Sequence, residues 1–168
     1  RRKIISNLSN KLKLHNKPIG IDIENHKDKI KKIIFKKTDA LSFVSKTKIN
    51  FDLILIKQTI HLVKKNQINK LLLICKNKLN TNGKIIILSL DPHKNEIPAF
   101  DLMKKKLKQS LKRDKSLFQL IKKFNTNLTV KKFIFNVKIS KNKYLQMIKN
   151  RYISTLLNFT EKQIQNGL

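Results

Sequence analysis

The stretch Asn50–Lys65, "NFDLILIKQTIHLVKK", decides how the chain is read. Asp52 stands just ahead of the apolar run Leu53–Ile56, after which come Lys57, Gln58, Thr59 and then His61. A short, continuous apolar run reads as a strand covered on both faces, the usual state of a parallel strand. Such a strand commonly closes in an ordinary turn. This one closes in a cluster of polar groups, and what surrounds that end determines their use.

Working outward, the apolar period switches repeatedly between strand and helix. Upstream, Arg1–His15 carries Ile4, Leu8 and Leu12 at helical spacing, and Asn16-Lys17-Pro18 ends it. Ile19–Ile23 and Ile33–Lys36 read as strands, with polar Lys27–Lys32 between them. Downstream, Asn66–Leu79 sets Ile68, Leu71, Leu72, Cys75 and Leu79 on one helical face. Asn82-Gly83 then reads as a helix stop with glycine at the C′ position. Lys84–Leu90, "KIIILSL", is the fourth strand. Strands alternating with helices predict an α/β fold with a mostly parallel central sheet and helices on both faces.

The second half changes character. Ala99–Leu111 has Met103, Leu107 and Leu111 in register, and Leu117, Leu120, Ile121 and Phe124 mark a further helix. Phe133, Phe135, Val137 and Ile139 alternate with Ile134, Asn136 and Lys138. That alternation predicts an antiparallel edge strand with one face buried. Asn142–Leu157 returns to helix, and Thr160 with Gln163 fits a capping box. The expected organisation is one domain, with a cofactor-binding half at 1–98 and a helix-rich, substrate-side half at 99–168. The chain opens without Met and closes soon after a well-capped helix start, so it reads as cut at both ends.

A length of 168 residues with 40% hydrophobic residues suffices for one buried core. The formal net charge of +29 would attract any polyanion. Yet Arg occurs only at positions 1, 2, 113 and 151, and the excess is carried by Lys. Arg is the better bidentate phosphate reader, and Lys, Asn and Ile are together over-used. We read the charge mainly as biased composition with solvated Lys faces, and nucleic-acid binding as the lesser alternative. No basic–aromatic stacking platform stands out. Cys75 is the one cysteine, so no disulfide framework exists, and a reducing, cytoplasmic setting is expected. No apolar run approaches a membrane span. His15, His26, His61 and His93 have no metal-ligand spacing.

Ligands of open parallel sheets bind beyond the carboxyl ends of the strands. Asp22 in "IGIDIEN" falls at such an end, where a carboxylate can accept both hydroxyls of a ribose. Asp39 in "KKTDALSF" follows the next strand, where it can accept an exocyclic amine, beside the backbone N–H groups of Ala40 and Leu41. "IKQTIH" is the third. Each acid has an ordinary reading as well, a turn or helix N-cap residue.

In order and spacing, "IGIDIEN", "TDALSF", "FDLILIKQTIHLV" and "LNTNGKIIILSLD" resemble motifs of class I S-adenosylmethionine-dependent methyltransferases. The likeness is greatest to the type 11 methyltransferase domain family and extends over Lys17–Leu168, including the tail "KNRYISTLLNFTEKQIQNGL". It implies a Rossmann-like fold, S-adenosylmethionine as cofactor and a small-molecule methyl acceptor. By that resemblance Asp22 binds the ribose diol, Ile23 packs on the adenine, Asp39 and Ala40 read the adenine edge with the Leu41 N–H, and Lys57 and Gln58 line the cofactor cleft. The family's first strand and glycine-rich loop have no counterpart here, since glycine occurs only at 20, 83 and 167. They are expected upstream of Arg1.

Methyl transfer from a sulfonium requires alignment and exclusion of water rather than an obligatory catalytic group. His61 is open to two readings, a general base or substrate contact, and a helix cap or packing residue. A nucleic-acid methyltransferase is the runner-up, although Lys57–Ile60 lacks the Asn/Asp-Pro-Pro-aromatic motif of base amino methylation. A nicotinamide-dependent oxidoreductase and a degenerate, non-enzymatic binding module are the other classes.

Overall fold

Phe51–Lys57, the strand at the centre of the sequence reading, pairs with the strand that follows the next helix, and this unit fixes the local architecture. The computed structural model describes residues 2–24, 32–91, 96–125 and 127–168. His26, His93 and most of Lys27–Lys32 lie outside them.

In chain order the elements are α1 (Arg2–Lys11), β1 (Ile19–Asp22), β2 (Ile34–Lys37), α2 (Ala40–Lys46), β3 (Phe51–Lys57), α3 (Ile68–Asn77), β4 (Leu79–Leu88), α4 (Asp101–Phe124), α5 (Lys141–Lys149) and α6 (Glu161–Gln165). Short 3-10 turns lie at Ile60–Leu62, Lys65–Gln67 and Ser154–Leu156. The protein is therefore mixed α/β, with parallel strand pairing, as expected. Among the described residues, however, the strands form two two-stranded sheets, β1-β2 and β3-β4, rather than one central sheet.

Two compact units divide the chain: Arg1–Ile56 with Asn66–Ile86, and Lys57–Lys65 with Ile87–Leu168. In the first, β1 and β2 run parallel in the register Ile19↔Ile34 to Asp22↔Lys37. Gly20 is buried, and a Cβ there would meet Ile33 Cγ2 at 3.4 Å and Ile5 Cδ1 at 3.6 Å, so α1 lies directly over β1. The core of this unit is Val44 of α2 against Ile68, Leu71, Leu72 and Cys75 of α3. Those α3 positions are the face read from the sequence, and Cys75 is a buried thiol whose pKa burial pushes up.

The start of β3 is tied to β4 by the Phe51 N–H, which donates to the Lys78 carbonyl at 2.8 Å. Asp52, the lone acid ahead of the apolar run, accepts from Asn80 Nδ2 at 2.9 Å. Its local role is thus to pin the entry to β4. The C′ glycine expected at 83 is corrected. α3 ends at Asn77, and Gly83 lies inside β4 without a positive φ. The residue in the left-handed region is Asn82, at φ 65°. Gly83 is required for close approach instead: a Cβ there would stand 2.8 Å from the Phe51 carbonyl and 2.9 Å from that of Asn80.

Ile86 and Leu88 of β4 remain exposed at 41% and 38%, so this strand is not covered on both faces.

In the second unit, Met103, Ile148, Leu156, Phe159 and Ile164 form the core, flanked by Phe100, Tyr144 and Tyr152. Phe100 and Phe159 are tilted with centroids 5.9 Å apart, and Tyr144 and Tyr152 meet edge to face at the same separation. The Tyr144 hydroxyl donates to the Pro98 carbonyl and lies 3.3 Å from the Tyr152 hydroxyl. Burial raises the Tyr152 phenol well above its ordinary range, with the Tyr144 hydroxyl adding to the effect. A capping box opens α6 as read: Gln163 N–H donates to Thr160 Oγ1 at 3.2 Å, and Thr160 N–H donates to Gln163 Oε1 at 2.9 Å.

Three expectations for this half are corrected. The two helices expected at Ala99–Leu111 and Leu117–Phe124 are one 24-residue helix, α4. No Gly or Pro interrupts Asp101–Phe124, and the register of Met103, Leu107 and Leu111 continues into Leu117 and Ile121. The helix expected over Asn142–Leu157 stops at Lys149, and Arg151, at φ 51°, turns the chain out of it. The alternating stretch at 133–139 forms no ladder. Phe133, Ile134 and Phe135 are 80%, 89% and 86% exposed, so both faces of the expected edge strand are open. Alternation reports the capacity to pair; it does not supply the neighbouring strand.

Candidate functional site at the strand ends

β1 and β2 end side by side because they are parallel and in register. The Thr38 N–H donates to the Asp22 carbonyl at 3.0 Å, which carries the pairing one step past the last ladder residues. This brings the two acids singled out in the sequence, Asp22 and Asp39, to the same carboxyl end of one sheet.

Asp22 Oδ1 also accepts from the Glu24 N–H at 3.1 Å, an Asx turn that bends the chain out of β1. Ile23, between them, is 61% exposed. A large apolar side chain standing open beside a carboxylate offers a ring somewhere to stack.

Asp39 is the N-cap of α2. Its backbone is extended (φ −77°, ψ 157°), and Oδ1 accepts from the Ser42 N–H at 2.9 Å. Ala40 and Leu41 form the first turn of α2, where helix N–H groups have no partner within the helix. Hydrogen bonding to Ser42 holds the Asp39 carboxyl below the ordinary carboxylate range. A depressed folded-state pKa makes the cap stabilising above the unfolded pKa, with that contribution lost as pH falls through the folded one. Asp39→Ala is therefore expected to cost about 0.5–2 kcal/mol at neutral pH. The gap between wild type and variant should narrow as pH falls below roughly 4 and through the lower folded pKa. Urea melts of both proteins from neutral pH into acid check this; a gap unchanged at low pH would contradict it.

Lys57, Gln58 and His61 belong to the second unit, and Asp22, Ile23, Asp39, Ala40 and Leu41 to the first. At the end of β3, the Gln58 N–H donates to the Leu88 carbonyl at 2.7 Å, while its own backbone turns into the left-handed region at φ 51°. A non-glycine residue in that region is uncommon and costs about 1–2 kcal/mol. Lys57 and Gln58 are exposed, with Lys57 Nζ 3.4 Å from Gln58 Oε1. The left-handed turn at Gln58 ends the strand. Ile60, 3% exposed, then anchors the 3-10 turn Ile60–Leu62, which holds His61 half-buried. His61 thus stands on a 3-10 turn rather than in an α-helix.

Two open clefts are lined by other residues. In the second unit, a space of about 440 Å³ runs beside α4, with Ile97, Leu107 and Leu111 among Lys104, Lys108 and Lys112. In the first, a space of about 320 Å³ is lined by Ser9, Asn10, Lys13, His15, Lys17 and Lys32. In the sequence, "KLHNKP" reads only as a helix end. The available signal was the alternate spacing of Lys13, His15 and Lys17, but Lys32 could not be joined to them without the fold. No group of three or more His, Cys, Asp or Glu side chains suited to a metal ion occurs among the described residues. No described helix is long and apolar enough to cross a membrane.

No protein-family model matches the chain, and no curated protein or solved structure is similar enough to set beside it.

Proposed function

We propose that this chain is part of a Rossmann-like, class I methyltransferase that takes the methyl group of S-adenosylmethionine to a small-molecule acceptor. The observation that carries the reading is the parallel β1-β2 pair with Asp22 and Asp39 at one carboxyl end, joined through the Thr38–Asp22 backbone hydrogen bond. A carboxylate directly after the first of two parallel strands suits a vicinal diol. A second acid after the next strand, followed by helix N–H groups, suits the polar edge of a purine. In this reading Asp22 takes the ribose, Ile23 lies against the adenine, and Asp39, Ala40 and Leu41 face its edge. By the family resemblance Lys57 and Gln58 would line the methionine and acceptor side of the cofactor cleft, with His61 a candidate base. The chemistry needs no metal: the sulfonium supplies its own leaving group, and the protein's task is alignment.

Calorimetric titration of the complete protein with S-adenosylmethionine and with oxidised nicotinamide dinucleotide tests the class. Saturable binding of S-adenosylmethionine, competed by S-adenosylhomocysteine and absent for the dinucleotide, is expected. Preference for the dinucleotide would transfer the strand-end acids to oxidoreductase chemistry.

A further inference from the structure

The cleft of about 320 Å³ lies at the opposite end of the β1-β2 pair and is not used by the methyltransferase reading. Its residues come from three places in the chain. α1 ends at Lys11, and Lys13 then adopts the left-handed conformation at φ 48°. That turn lets the Leu14 N–H donate to the Ser9 carbonyl at 3.1 Å and the Lys13 N–H to the Asn10 carbonyl at 3.3 Å, closing the helix without a glycine. His15 and Lys17 follow on the approach to β1. The Ile34 N–H donates to the Pro18 carbonyl at 3.0 Å, which ties the entry of β1 to the entry of β2 and brings in Lys32. Lys32 Nζ donates to Asn10 Oδ1 at 3.1 Å, so this ammonium is held across the cleft from α1.

Lysine near the C-terminus of α1 has an ordinary explanation, the negative end of the helix dipole. That explanation covers Lys11 and Lys13 but neither Lys17 nor Lys32, which precede strands. Three ammonium groups therefore line one cleft, and no Asp or Glu is among the described residues lining it. Like charges gathered in one cleft repel one another, and an anion bound between them relieves the repulsion. The Ser9 hydroxyl and the imidazole of His15 add hydrogen-bonding groups to the same wall.

We propose that this cleft binds the phosphate of a small phosphomonoester. A dianion with three terminal acceptor oxygens matches three lysines as point charges. The volume suits one small molecule, near the lower end of the usual range of about 300–1,000 Å³ for ligand sites. The placement is independent of the methyltransferase reading, because Lys17 and Lys32 stand at the amino ends of the strands that carry Asp22 and Asp39 at their carboxyl side.

The test is an amide-detected NMR titration of the protein with ribose 5-phosphate, at about 150 mM salt to suppress diffuse attraction. Ribose and inorganic phosphate serve as separate arms. Saturable shifts centred on residues 9–17 and 32 are expected with ribose 5-phosphate and inorganic phosphate, and none with ribose. The triple variant Lys13→Gln, Lys17→Gln, Lys32→Gln should weaken binding at least about tenfold. The control triple Lys104→Gln, Lys108→Gln, Lys112→Gln on α4 removes the same charge and should change affinity less than about twofold. Melting curves confirm that the variants fold; if the cleft triple does not, Lys32→Gln alone carries the comparison. Equal weakening in both triples, shifts scattered over the Lys-rich surface, or binding of an RNA oligonucleotide without binding of ribose 5-phosphate would each overturn the proposal.

Discussion

Asp22→Ala is expected to weaken S-adenosylmethionine binding by the complete protein at least about tenfold. A carboxylate facing a ribose accepts two charge-assisted hydrogen bonds, each contributing about 1.5–3 kcal/mol, and alanine removes both. The same carboxylate accepts from the Glu24 N–H in a turn. Loss of that bond should cost about 1 kcal/mol of stability. The two roles separate on one variant. A large loss of affinity with a small drop in melting temperature assigns Asp22 to the ligand. A lowered melting temperature with unchanged affinity assigns it to the turn alone, and the methyltransferase reading then loses its principal residue. Asp22→Asn keeps the shape and an acceptor oxygen but removes the charge, so it should fall between the two.

The second large effect is structural. Leu156 lies on a 3-10 turn, is 0% exposed, and sits among Met103, Ile148, Phe159 and Ile164. Leu156→Ala leaves a cavity in that cluster, and the expected destabilisation is about 2–5 kcal/mol. Leu156→Met, which nearly conserves volume, should cost less than about 1.5 kcal/mol. The chain has no Trp and two Tyr, Tyr144 and Tyr152, both packed on this core. Tyrosine fluorescence during urea unfolding therefore reports on the second unit. A loss below about 1 kcal/mol for Leu156→Ala would mean that this cluster is not the core of the unit.

How far the sequence revealed these features depends on how local each one is. The α3 face, Ile68, Leu71, Leu72 and Cys75, was legible because a helix buries whichever side its 3.6-residue period makes apolar. The Thr160–Gln163 capping box was legible for the same reason: four consecutive residues contain the whole interaction. Gly83 misled because glycine serves both a helix C′ position and a close backbone approach, and only the position of the Phe51 carbonyl separates them. Phe133–Ile139 misled because its alternation describes one strand while pairing takes two. At the candidate site, Asp22 and Asp39 were each visible as acids after apolar runs. Their shared placement follows from the β1-β2 register, which no local pattern encodes. Lys32 beside Lys13 and Lys17 is the extreme case, a constellation assembled from segments with no common motif.

The most direct measurement is a map of backbone amide shifts when S-adenosylmethionine is added to the complete, isotope-labelled protein. The expected result is saturable perturbation of Asp22, Ile23 and Glu24 together with Thr38, Asp39, Ala40 and Leu41, the two strand ends that parallel pairing places side by side. Perturbation of neither strand end at saturating ligand, or shifts confined to other parts of the chain, would contradict the assignment of this sheet end to the cofactor.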